Sequence, residues 1–262
     1  METVERERDF LGKMRLDGKV AIVTGAGRGL GKQIAISLAS VGANVGIIAR
    51  TRSQLEETAH EIEALGQRVL VIPIDISRSD EVNHAVEQVI STLGPVDILV
   101  NNAGIAEEKS LLEVTDDDWH RVMGVNLDGA FFFCRAVGRQ MVERKRGKII
   151  NIGSVLGLVG YQNFASYSTS KGALLQFTRT LALEWARYGI NVNAVALGWF
   201  ETEMNANAMA QEKVREGLMR RIPFRRFGHP SEVGPLVVFL SSPASDFMTG
   251  SIIVMDGGEL IK

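Results

Sequence analysis

Short apolar runs alternate along the chain with longer stretches in which apolar residues recur every three or four positions. Val20-Ala21-Ile22-Val23, Val45-Gly46-Ile47-Ile48 and Val69-Leu70-Val71-Ile72 are apolar at consecutive positions and rich in β-branched residues, as strands covered on both faces are. Ile98-Leu99-Val100, residues 148–152, residues 190–195 and Ile252-Ile253-Val254 continue the series. Between the third and fourth runs, Val82, Ala85, Val86, Val89, Ile90 and Leu93 share one helical face that stops at Gly94. Ser53 precedes Glu56 at capping-box spacing and predicts a helix beginning there and ending at Leu65-Gly66. Strands and helices alternating at these lengths predict an α/β fold, a doubly wound parallel sheet with helices on both faces. Ligands of such sheets bind beyond the carboxyl ends of the strands, so the residues following each run are the first candidates for function.

After the first run, Thr24-Gly25-Ala26-Gly27-Arg28-Gly29-Leu30-Gly31 leads into a helical stretch from Lys32 to Ala39. The common G-x-G-x-x-G spacing is not kept, because residue 30 is Leu and residue 32 is Lys; Gly25, Gly29 and Gly31 form a longer turn. Such glycines let the backbone approach a pyrophosphate and set it against the free N–H groups of a helix N-terminus. A strand-to-helix turn without a ligand is the rival reading. The second run ends Ile48-Ala49-Arg50-Thr51-Arg52, with Ala49 where a site for NAD usually carries an acidic residue. Arg28 and Arg50 suit a 2′-phosphate, which favours NADP and leaves NAD possible; solvated surface charge is the alternative for both. Asp75, with Ile76 after the third run, either meets the adenine amino group or opens the next helix. Asn102-Ala103-Gly104 makes a small-residue turn past which a ribose or nicotinamide fits.

Ser154 follows the fifth run, and Tyr167-Ser168-Thr169-Ser170-Lys171 opens a helical pattern thirteen residues later. Tyr167 and Lys171 share a helix face. An isolated phenol is only ~0.1% ionised at pH 7, and an ammonium one turn away, assisted by the positive ring of an oxidised nicotinamide, is expected to lower its pKa toward a useful acid/base range.

Composition narrows the partners. The 262 residues are 45% hydrophobic, 23% charged and 6% aromatic, typical of a globular protein, and 29 Lys plus Arg against 31 Asp plus Glu give a net charge of -2. That balance supplies no basic excess for nucleic acid or an anionic membrane. Residues 1–18 read as a charged arm without a signal peptide's apolar core, residues 19–262 as one domain, and the expected location is the cytoplasm. Cys134 is the only cysteine, which predicts a buried, inert thiol and no metal site.

Taken together, Thr24-Gly25-x-x-x-Gly29-x-Gly31, Asn101-Asn102-Ala103-Gly104, Asn126, Ser154 and Tyr167-x-x-x-Lys171 closely resemble the short-chain dehydrogenase/reductases from about Lys19 to Gly258. The resemblance implies a single Rossmann-like domain with a seven-stranded sheet, commonly a homotetramer. It implies Tyr167 as the proton donor and acceptor, Lys171 on the nicotinamide ribose, Ser154 on the substrate oxygen and Asn126 holding a water that links Lys171 to solvent. Gly198 and Thr202 are expected at the nicotinamide, with a looser loop because Leu197 stands where the family usually has Pro. The segment Trp199, Phe200, Thr202, Met204, Met209 to Val214 corresponds to the family's substrate lid. Val155, Leu158, Tyr161, Gln162 and Phe164 are expected opposite it, and Leu156, Phe164, Trp199 and Met204 are expected on the substrate. The implied activity is hydride transfer between NAD(P) and a carbonyl or secondary alcohol, most simply a ketone or 3-oxoacyl reductase. Phe132 and Leu183 stand where acyl-carrier reductases tend to carry docking arginines. A sugar, polyol or steroid alcohol dehydrogenase using NAD, and a nucleotide-sensing binding protein, are the alternatives.

Overall fold

The computed structural model describes residue 9 and residues 11–261. Among them, strands Val20–Thr24 (β1), Asn44–Ala49 (β2), Val69–Pro73 (β3), Ile98–Asn101 (β4), Gly147–Ser154 (β5), Ile190–Leu197 (β6) and Ile252–Met255 (β7) form one parallel sheet in the order β3-β2-β1-β4-β5-β6-β7. β1 and β4 are buried at every position because helices cover both faces, which is why their sequences are apolar throughout. The strand order reverses between β1 and β4, opening a crevice at their carboxyl ends.

One face is covered by Gly29–Ser40 (α1), Arg52–Ala64 (α2) and a later helix Val233–Ser241, whose Ile34, Leu38, Leu55, Ile62 and Val237 join a common core with β1 and β2. Ser79–Thr92 (α3), Gly129–Arg144 (α5) and Ala165–Trp185 (α6) cover the other face through Val82, Val89, Phe133, Val137 and Leu181. Asp116–Met123 (α4) runs into α5 through a π-helical turn, Gly124–Asp128. Ala206–Ala210 (α7) and Glu212–Arg221 (α8) follow β6. No helix of the described residues is long and apolar enough to cross a membrane.

Several expectations change in detail. α2 begins at Arg52 with Thr51 at its N-cap and no side-chain cap, so the Ser53 capping box does not form. The Leu55 N–H already bonds to the Thr51 carbonyl, which places Ser53 inside the first turn. α6 begins two residues before Tyr167, and Ser154 is the last residue of β5 rather than the first beyond it. No loose loop follows β6: Leu197 is buried, pairs in register with Ser154 and Met255, and extends the strand. Of the expected arm, residues 1–8 and Phe10 lie outside the described residues. Leu16, also within it, is buried in the core, and its N–H donates to the Val41 carbonyl at 2.8 Å. Cys134 is buried beside the Asn101 amide, and burial pushes its thiol up to about 12.

The first turn of α1 fixes the start of the crevice. A Cβ on Gly31 would lie 2.1 Å from the Gly25 carbonyl oxygen, so only glycine permits this helix-to-strand approach. Gly217, inside α8, faces open space. Gly31→Ala is therefore expected to destabilise the fold by about 2 kcal/mol or more. Gly217→Ala is expected to stabilise it by about 0.5–1 kcal/mol. Urea denaturation of both variants measures the two effects.

Candidate active site

A cavity of about 530 Å³ runs along the carboxyl ends of the strands from the glycine turn to the aromatic loop after β5. Gly25, Gly27, Arg28, Gly29, Leu30, Gly31, Arg50, Asp75, Ile76, Asn102, Ala103 and Gly104 line its first half. Ser154, Leu156, Phe164, Tyr167, Lys171, Gly198, Trp199, Thr202 and Met204 line its second. Asn126 lies outside the wall, buried behind Gly104.

The first half is built by hydrogen bonds that cross from β4 to β1. Thr24 Oγ1 accepts from the N–H groups of Asn102 and Ala103, both at 3.0 Å, and the Asn102 amide donates to the Thr24 and Gly25 carbonyls at 2.9 and 3.3 Å. These bonds consume the polar groups of the turn on its inner side. The outer side is left as bare glycine backbone at the head of α1, where Arg28 gives no side-chain cap and the first turn holds no acidic residue. Such a cradle suits a phosphate. Arg28 and Arg50 are exposed at its rim and form no ion pair among the described residues. Asp75 does not cap α3, which begins at Ser79 behind Arg78; its Oδ1 accepts from the Ser77 N–H at 3.0 Å and hydroxyl at 2.8 Å, closing the turn before that helix. The Ser77 backbone bond is the main cause holding its carboxyl below the usual range, with Arg50 adding to it against burial.

In the second half, the Lys171 ammonium is buried and donates to the Ile152 carbonyl at 2.8 Å. It sits 5.9 Å from the Tyr167 ring centre. Burial lowers its pKa to about 8. The Tyr167 phenol moves the other way: burial raises it, and the Ser154 hydroxyl, hydrogen-bonded to it, opposes part of the rise. In the protein alone burial sets the direction of the Tyr167 shift, upward, whereas the expected lowering was for Lys171 together with an oxidised nicotinamide. Ser154 Oγ accepts from the Leu156 N–H at 3.2 Å, which both caps the short turn Val155–Gly157 and orients the hydroxyl.

Asn126 occupies the π-helical turn, where the extra residue swings its amide inward. Its Oδ1 accepts from the Ile105 N–H at 2.8 Å, and its Nδ2 donates to the Ile105 carbonyl at 2.9 Å and to Ser170 Oγ at 3.0 Å. A Cβ on Gly104 would come within 3.3 Å of Lys171 Nζ and 3.4 Å of Asn126 Oδ1, so the two groups flank that glycine. Tyr161 links the loop after β5 to the segment after β6, with ring centres 5.6 Å from Phe164 and 6.2 Å from Trp199. Leu158 and Gln162, expected in this wall, are exposed and do not line the cavity. Met209 packs instead against Leu218, Ile222 and Phe227. Gln54, Ile105 and Glu203 line the cavity unannounced by any sequence pattern.

A sequence model described as short chain dehydrogenase matches residues 19–213. The chain belongs to the short-chain dehydrogenase family. It is 41% identical over 256 residues to galactitol 2-dehydrogenase (L-tagatose-forming) of Cereibacter sphaeroides, covering 97% of this chain and 99% of the relative. It is 38% identical to a 3-oxoacyl-acyl-carrier-protein reductase of Thermotoga maritima, over 95% of this chain and all of that one. A gluconate 5-dehydrogenase of Burkholderia cenocepacia J2315, solved with NADP and tartrate, superposes with a TM-score of 0.92 at 38% identity, covering 96% of this chain and 99% of that one. The short-chain dehydrogenase is accordingly an oxidoreductase acting between a carbonyl and its alcohol.

Burial of Lys171 gives a pH signature. Its folded pKa of about 8 lies below the ordinary 10.5, so the unfolded chain holds the extra proton between those values. The cost of the buried charge is fully present below pH 8 and fades as pH rises to 10.5. Wild type is expected to gain up to about 3 kcal/mol of stability over that window relative to Lys171→Met, measured by denaturant titration of both proteins at pH 7 and pH 10.5.

Proposed function

We propose that this short-chain dehydrogenase is an NADP-preferring ketoreductase, reversible in principle, in which Tyr167 is the acid/base. The observation that carries the proposal is the half-buried Tyr167 phenol beside the Ser154 hydroxyl and the buried Lys171 ammonium in one cavity with a bare glycine cradle. The cradle fits a dinucleotide: its glycines leave backbone facing the cavity, and unpaired arginines stand where the adenosine end would lie. NAD remains the second cofactor it could take.

When bound, the reduced nicotinamide supplies the hydride for the carbonyl carbon. Ser154, held by the Leu156 N–H, donates its own hydrogen to the carbonyl oxygen, a bond that strengthens as negative charge grows there. Tyr167 delivers its proton to the same oxygen. A raised pKa keeps that proton in place at neutral pH, which suits reduction. Lys171 stays cationic below about pH 8, balances the phenolate left behind, and has further N–H donors for ribose hydroxyls. Asn126 acts on this pair through the main chain of Ile105 and through Ser170, so it is a positioning residue. Oxidation of an alcohol runs through the same groups in reverse.

Tyr161, Phe164, Leu156, Trp199 and Met204 supply an apolar and aromatic wall for the remainder of a small ketone or alcohol. Residues 19–262 form the dinucleotide-binding domain of this reading, with residues 1–18 as an arm whose Leu16 is anchored in the core. The proposal includes a cytoplasmic homotetramer, for which the exposed Phe131, Leu183 and Phe247 offer apolar contact area.

Tyr167→Phe is expected to cut turnover at least about 10³-fold, within the range of general-acid catalysis, while the Kd for NADPH stays within about twofold. Activity within a few-fold of wild type overturns the assignment. Arg50→Ala is expected to weaken NADPH by about tenfold, the scale of one charge-assisted hydrogen bond, and NADH by less than twofold. Fluorescence titration with both cofactors measures the ratio, and equal weakening removes the 2′-phosphate reading.

A further inference from the structure

An anionic neighbour of the glycine cradle comes from the segment after β6. Glu203 opens the short turn Glu203–Asn205 that follows β6. A Cβ on Gly29 would lie 3.3 Å from Glu203 Oε2 and 3.7 Å from Thr202 Cγ2, so the carboxylate rests against the first residue of α1. Gly29 has φ +54 and presents its backbone rather than a side chain at that point. Glu203 is exposed and lines the cavity, its carbonyl accepts from the Ala206 N–H, and its carboxylate makes no hydrogen bond or ion pair among the described residues. A carboxylate without a charge partner is thus stationed at the positive end of a twelve-residue helix that has no cap of its own.

From this we infer that Glu203 is a resident competitor for the pyrophosphate position, an acidic side chain that a bound dinucleotide has to displace. The inference rests on the cofactor reading above. Carboxylate and phosphate cannot share the head of α1, because like charges a few ångströms apart repel and both seek the same backbone dipole. The absence of a hydrogen bond makes the carboxylate an occupant that leaves readily. Its neighbour Thr202 and the Asn205 amide, which donates to the Phe200 carbonyl at 2.9 Å, travel on the same turn, so displacement acts on the segment that carries Trp199 and Met204. Glu203 therefore sets cofactor affinity and release without touching the adenosine end, where Arg28 and Arg50 stand.

Three proteins test this: wild type, Glu203→Gln, and Glu201→Gln, which removes one exposed carboxylate that does not line the cavity. NADPH and NADH are titrated by fluorescence and calorimetry, and release is timed by stopped flow, all without substrate. Glu203→Gln is expected to bind both cofactors about tenfold more tightly, the effect of one charge near a helix end and a diphosphate, through slower release. The NADPH-to-NADH ratio should stay that of wild type. Glu201→Gln should change neither constant by more than about twofold, since it leaves the helix end untouched. Unchanged or weaker binding by Glu203→Gln overturns the inference while wild-type binding upholds the cofactor reading. Equal tightening by both variants also overturns it, reducing the effect to net charge. Failure of wild type to bind either cofactor overturns both readings.

Discussion

A space too small for a methyl group, between Gly31 and the Gly25 carbonyl, governs the carboxyl edge of the sheet. It lets α1 descend onto the end of β1, and the Asn102 amide then ties β4 to the same turn through the Thr24 and Gly25 carbonyls. With these inward-facing groups satisfied, the remaining backbone of the turn faces outward, toward the cavity. The site is therefore a consequence of close helix-to-strand packing: the same contact that builds the crevice at the reversal of strand order also strips it of side chains.

Desolvation sets the chemistry beyond that point. Lys171 and Tyr167 lie one helical turn apart, and burial pushes the ammonium toward neutrality and the phenol toward its protonated form. Both shifts oppose charge, and they drive the two pKa values apart, the ammonium down to about 8 and the phenol above its ordinary value. A phenol that keeps its proton until an oxygen beside it becomes basic is a good donor for a growing alkoxide. The carbonyl of Ile152 supplies the one strong bond that holds the ammonium in place, and it comes from β5, the strand that also delivers Ser154. Strand and helix thus position the three groups jointly.

Charge is divided along the cavity. Arg28 and Arg50, which form no ion pair among the described residues, stand at the end near β2, carboxylates from Glu203 and Glu108 line the cavity further along, and aromatic rings close the far end. That gradient orients a long ligand with phosphates at one end and a reacting group at the other. The rings of Tyr161 and Trp199 belong to segments after β5 and β6, so the far wall depends on how those two loops meet.

The sheet was legible because buried parallel strands need apolar residues on both faces, and runs such as Ile98-Leu99-Val100 meet no other requirement. The glycine turn and the face shared by Tyr167 and Lys171 were legible from local spacing, whereas Ser154 was given its role only through the family resemblance. Helix ends were less so. Ser53 had the spacing of a cap, yet the path out of β2 began the helix at Arg52, a decision of tertiary geometry. Leu197 promised a looser loop and instead lengthened β6, because pairing with both Ser154 and Met255 was available to it. The direction of the Tyr167 shift, the inward turn of Asn126 and the approach of Glu203 to Gly29 belong wholly to the folded molecule. Sequence carries periodicity and local spacing, which short-range sterics and burial translate directly into elements. Desolvation, and contacts between residues more than a hundred positions apart, exist only once the chain has closed around them.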